Sequence, residues 1–186
     1  MAGKEAGTIS PLSRRIIVTV ESEGNKMEEK HSVSVMWSEY VKSIGKTLEE
    51  MKDDYTSWYF GADQETADEL AQLVLSGTKK ATASLHEIYT YENEPIPKVG
   101  DYSVITDWEG EAKCIIKTTA INICPFKDVT EAFAKREGEG DKSLAYWRDV
   151  HRHFFGEECK EMKKAFHEDM LVICEEFEVV FPSNRD

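Results

Sequence analysis

Gly77-Thr78-Lys79-Lys80-Ala81-Thr82 lies where one periodicity stops and another begins, and its reading decides the fold. Upstream, residues 64–76 place Ala67, Leu70, Ala71, Val74 and Leu75 at helical spacing, with Asp63 or Thr66 available as N-cap. Gly77 is the expected stop, because glycine takes the left-handed conformation that ends a helix. Lys79 and Lys80 fall where orphan carbonyls favour positive charge. Residues 80–85 then read as a strand.

A lysine three residues before a threonine is a pair whose chemistry depends on geometry. In a continuous strand, side chains alternate faces and Lys79 and Thr82 point apart; a turn after Gly77 would let them converge. Converged, a partly desolvated Lys79 with lowered pKa could take the proton of the Thr82 hydroxyl, with a carboxylate completing the set. The plainer reading is that both lysines complement the helix end and Thr82 is an ordinary strand residue. Lys-x-x-Thr by itself is common.

The chain is 186 residues long with 40% hydrophobic and 32% charged residues, which fits one compact α+β domain. The formal net charge is −13, from 36 acidic against 23 basic residues, and opposes tight non-specific binding to long nucleic acid. A small ligand is favoured, with Lys79, Lys80 and Lys98 as a local basic patch able to admit one nucleotide. The four cysteines, at 114, 124, 159 and 174, form no Cys-x-x-Cys pair and read as reduced thiols of a cytoplasmic protein. No apolar run approaches the roughly 20 residues needed to cross a bilayer, so no membrane partner is expected.

Residues 1–26 read as an N-terminal extension with one short strand at 16–20, either a flexible tail or a stretch upstream of a start at Met27. Residues 27–186 form the domain. Residues 35–51 carry one helical pattern interrupted by Gly45. Trp37, Trp58, Tyr59 and Phe60 are aromatic mass for the core, with Tyr59 and Phe60 beside Gly61 the candidates for lining a cleft. Residues 85–98 read as a Tyr-, Glu- and Pro-containing loop that could act as a lid, with Tyr89 able to touch a ligand. A hairpin follows, from a strand at 102–107 to a longer one at 112–123.

Asp128 or Thr130 can cap a short helix ending near Glu137-Gly138, and Asp141 or Ser143 a second one carrying Leu144, Trp147, His151 and Phe154. Glu137 thus sits at a helix end beside two glycines, where a carboxylate can face a cleft; alternatively Glu137, Glu139 and Asp141 are a solvated acidic turn. His151 and His153 face different directions on a helix, so no metal site is expected, and His151 packs beside Trp147 or reaches the cleft rim. Residues 171–181 alternate well enough to close a barrel, with Glu175 interrupting the apolar face.

Gly77-x-Lys79-x-x-Thr82 resembles the signature of the ASCH family of the PUA-like superfamily. So do Gly61, Lys98-Val99-Gly100-Asp101, Pro125-Phe126 with Val129, and the run from Glu137 to Leu144 with Trp147, His151 and Phe155. The resemblance spans about residues 36–181 and implies a PUA-like β pseudobarrel with flanking helices and a cleft for RNA or a nucleoside. One bacterial branch is similar to amidohydrolases that deacetylate N4-acetylcytidine through a lysine, a threonine and a glutamate, which would be Lys79, Thr82 and Glu137 here. Tyr59, Phe60, Gly61, Gly77, Lys80 and Tyr89 would line the ligand. No cofactor or metal is implied. The chain departs from that branch in Gly138-Glu139-Gly140-Asp141, which leaves Glu139 as an alternative acid, and in Ala83-Ser84-Leu85 after the threonine. The alternatives to an amidohydrolase are an RNA-binding module without chemistry and a ribonuclease.

Overall fold

The computed structural model describes residues 30–51 and 55–182. The extension at 1–26, its strand at 16–20 and Met27 lie outside these residues. The architecture is the expected α+β pseudobarrel with flanking helices. Its elements run α1 (His31–Ser43), β1 (Tyr55–Trp58), α2 (Gln64–Leu75), β2 (Ala81–Leu85), α3 (His86–Glu92), β3 (Tyr102–Thr106), β4 (Ala112–Pro125), α4 (Glu131–Glu137), α5 (Leu144–Glu161) and β5 (Leu171–Phe181).

The five strands form one sheet in the order β1-β3-β4-β5-β2, with β1 parallel to β3 and every other pairing antiparallel. The hairpin of β3 and β4 is present as read. Register shifts in β4 against β5, at Ile115/Ile116 and Thr118/Ala120, let these long strands bend around a core instead of lying flat. Helices cover the sheet in three apolar clusters. α1 packs Val33, Trp37 and Val41 with Val104 and Ile115, and α2 packs Leu70, Ala71 and Val74 with Trp58, Phe60 and Phe177. The remaining helices bury Trp147, Phe154 and Phe155 against β2 and β5.

The helix ends follow from their sequences. Asp63 caps α2 by accepting from the Thr66 N–H at 2.9 Å. At the other end Gly77 takes φ +71°, its N–H donates to Val74 and that of Thr78 to Leu73, a Schellman ending. Thr130 caps α4 and Ser143 caps α5 through their hydroxyls.

Three readings are corrected. The helix at 35–51 begins earlier and ends at Ser43, because Gly45 at φ +72° turns the chain, although Met51 still reaches the core. The loop at 85–98 holds helix α3, which buries Ile88 and Tyr89 and ends at Asn93 in the left-handed region. β1 hides inside the aromatic run, where four residues are too few to show a period of two.

Candidate functional site

Lys79 leaves the end of α2 and turns into the body of the protein, its side chain fully buried. Two carboxylates receive it. The Nζ donates to Glu139 Oε1 at 2.5 Å and to Glu137 Oε2 at 3.4 Å, and the residues stand 0%, 1% and 7% exposed for Lys79, Glu137 and Glu139. An isolated buried ammonium would cost several kcal/mol, so a lysine survives here only because it is paired. Burial pulls its pKa down, but the charges of Glu139 and Glu137 and their hydrogen bonds outweigh burial and hold Lys79 above its ordinary value. The expectation of a lowered pKa is therefore corrected, because the two carboxylates favour the charged form of Lys79.

Local backbone geometry builds the cluster. α4 ends at Gly138, whose φ is +73° and whose missing side chain is required by the neighbouring chain: a Cβ there would lie 2.3 Å from the Thr78 carbonyl oxygen. The end of α4 thus seats directly on the loop that carries Lys79, and Lys80 N–H donates to the Arg136 carbonyl at 2.8 Å to fix that contact. Gly140 admits the ring of Tyr146, 2.4 Å from where its Cβ would stand.

α5 supplies the remaining partners. Trp147 Nε1 donates to Glu137 Oε1 at 3.0 Å, so both oxygens of Glu137 are engaged. His151 stacks on Trp147 with ring centroids 4.2 Å apart, and its Nδ1 lies 2.9 Å from the Trp147 carbonyl oxygen. That oxygen only accepts, so Nδ1 carries the proton, and Nε2 faces Glu137 Oε2 at 3.6 Å. Phe60 closes another side, with the ammonium 5.1 Å from its ring centre. Two atoms of the cluster have no hydrogen-bond partner among the described residues, Glu139 Oε2 and His151 Nε2. Glu139 is also the most exposed of the three charged members, beside the half-buried Tyr146. The Tyr146 phenol is pushed up by burial and then by Glu139, Glu69 and Asp141.

Thr82 is the second residue of β2, where alternation sets Ala81, Ala83 and Leu85 on one face and Thr82 and Ser84 on the other, while Lys79 lies in the turn before the strand. Across the strands Thr82 pairs with Glu175, which accepts from Thr118 Oγ1 at 2.6 Å. Among the described residues no hydrogen bond joins Lys79 to Thr82.

The other expected ligand residues also divide. Phe60 touches the lysine and Gly77 shapes the turn that delivers it. Gly61, at φ +83°, leaves no room for a side chain against Thr66. Tyr59 packs on Trp108, and Lys80 is exposed with its backbone tied to α4 and β5. Tyr89 belongs to the core, its hydroxyl 3.0 Å from that of Ser84, because α3 turns it inward. Sequence reasoning named Glu139 only as a substitute for Glu137, whereas both pair with Lys79, and it missed the Trp147 indole as a partner. A pocket of about 190 Å³ opens elsewhere, between β4, β5 and α4, lined by Phe133, Arg136, Cys174 and Glu176 among others. Neither Lys79, Glu139 nor Thr82 lines it.

Comparison with known proteins bears on this arrangement. A family model described as ASCH domain matches residues 56–181. The crystal structure of an ASCH domain from Lactobacillus crispatus JV V101 is 39% identical with a TM-score of 0.77, covering 83% of this chain and 97% of that one. A protein from Enterococcus faecalis V583 is 38% identical with a TM-score of 0.71, covering 80% and 87%. A search of curated proteins finds no match.

Proposed function

The chain belongs to the ASCH domain family, and on that premise we propose that it binds a modified pyrimidine nucleoside and hydrolyses an exocyclic amide on it, of the N4-acetylcytidine type. The observation that carries this reading is the buried Lys79 ammonium shared by Glu137 and Glu139. A cation held in a low-dielectric site and kept protonated is suited to stabilise the oxyanion that develops when an acyl carbon is attacked. Two carboxylates occupy two of its three N–H donors.

In this reaction a nucleophilic oxygen adds to the acyl carbon, the carbonyl electrons move to oxygen beside Lys79, and the C–N bond breaks. The attacking hydroxyl gives its proton to a carboxylate, which passes it to the exocyclic nitrogen as that nitrogen leaves as the amine. Where Thr82 attacks, water then hydrolyses the threonine ester to the free acid and restores the hydroxyl. Glu137, held by Trp147, is a positioning residue that fixes the ammonium. Thr82 is the nucleophile that the family resemblance implies, and its neighbour Glu175 is the carboxylate nearest in register. The formal charge of −13 favours a ligand without phosphate.

Hydrolysis of N4-acetylcytidine by the purified protein tests the proposal. Turnover in wild type, lost in Lys79→Met, supports it; no turnover in wild type refutes it. Thr82→Ala then divides the mechanism, since lost turnover assigns the attack to the hydroxyl and retained turnover assigns it to water. A second reading, RNA binding without chemistry, draws on the lack of any hydrogen bond between Lys79 and Thr82 among the described residues. It predicts affinity for single-stranded RNA that falls steeply with salt.

A further inference from the structure

The cluster contains a group that the chemistry above leaves unused. Glu139 gives one oxygen to Lys79, and its Oε2 is buried with no hydrogen-bond partner. A buried carboxylate oxygen without a donor is a costly arrangement, and it becomes favourable when a ligand brings the donor. The residue is 93% buried yet is the cluster member nearest solvent, and Gly138 and Gly140 on either side pin its backbone to Thr78 and Tyr146. Its position is therefore set by the fold.

Resting on the nucleoside reading, we propose that Glu139 determines specificity by accepting an N–H from the exocyclic nitrogen of a cytosine-type base, so that bases presenting a carbonyl there are rejected. A uracil-type O4 would set its lone pairs against those of the carboxylate, with no donor between them. Glu69 and Asp141 add negative charge around the neighbouring Tyr146, which disfavours a phosphate, so the ligand class is a free nucleoside or base with an amino or acylamino group.

The same geometry predicts how the preference can be reversed. Lys79 has only donors to offer, so in Glu139→Gln the amide must turn its oxygen to Lys79 and present its NH₂ outward. The acceptor becomes a donor, and a carbonyl becomes the matched partner. Glu137→Gln is the control, because both oxygens of Glu137 are already committed to Lys79 and Trp147.

The experiment is calorimetric titration of the full chain with cytidine, uridine and N4,N4-dimethylcytidine, which keeps the ring but has no N–H on the exocyclic nitrogen. Wild type is expected to bind cytidine at least about tenfold more tightly than either of the others. Glu139→Gln is expected to prefer uridine, and Glu137→Gln to keep the wild-type order. Equal binding of the three ligands by wild type overturns the inference without recourse to any variant, as does a wild-type order in a folded Glu139→Gln. Reversal by Glu137→Gln also overturns it. Turnover of N4-acetylcytidine with no discrimination would remove this inference and leave the proposed function standing. Absence of both binding and turnover would remove the two together.

Discussion

Replacing Lys79 by methionine tests the buried cluster most severely. Methionine keeps most of the length and apolar stem, so little packing is lost. The charge, however, disappears from between two carboxylates that are 1% and 7% exposed and lie 3.4 and 2.5 Å from Nζ. At the surface such a change would cost under about 1 kcal/mol, but all three groups are buried and solvent screening gives no relief. Breaking a buried pair from one side costs about 3–5 kcal/mol. For a chain of 186 residues that corresponds to a melting temperature lower by about 6–20 °C. Denaturant unfolding gives the free energy, and differential scanning calorimetry gives the temperature. The triple variant Lys79→Met, Glu137→Gln, Glu139→Gln removes the uncompensated charges and should recover a large part of the loss. A Lys79→Met protein within about 1 kcal/mol of wild type would refute the claim that this pairing holds the site together.

Other consequences follow from the same geometry. Lys79 is held above its ordinary value, so its stabilising contribution is complete below the unfolded pKa of about 10.4 and is lost as pH climbs through the folded value. The stability difference between wild type and Lys79→Met should therefore stay flat across the neutral and mildly alkaline range and shrink only beyond that point, as followed by melting at stepped pH. Gly138→Ala should destabilise by more than Gly45→Ala: both have positive φ, but only the former meets a carbonyl at 2.3 Å, so it alone should exceed the roughly 1 kcal/mol backbone cost in chemical denaturation. Trp147→Phe strips the donor from Glu137 Oε1 and should cost about 1–3 kcal/mol, with turnover reduced as the ammonium loses its fixed partner.

The parts of this structure legible in the sequence were those set by neighbours in the chain. The periodicity from Ala67 to Leu75, the Asp63 cap and the Gly77 stop all act within a few residues, and each appears where it was read. The caps of α4 and α5 and the β3–β4 hairpin are of the same kind. α3 was hidden because its seven residues, rich in tyrosine and glutamate, are too few to display an apolar stripe. The site was harder for a different reason. Whether a lysine is base or fixed cation depends on what surrounds it, and Glu139 lies 60 positions away in sequence. The spacing Lys-x-x-Thr could not choose between convergence and alternation, because Lys79 lies in the turn before β2 whereas Thr82 lies inside it, paired with Glu175.

The measurement closest to the central claim is ¹⁵N NMR of the Lys79 side chain in the full protein, titrated with cytidine at neutral pH. The account predicts an ammonium resonance protected from exchange that shifts on binding, together with changes at Glu139 and Tyr146. A neutral amine at Lys79, or a ligand whose shifts gather at Phe133, Arg136 and Cys174 while Lys79 stays unmoved, would contradict it.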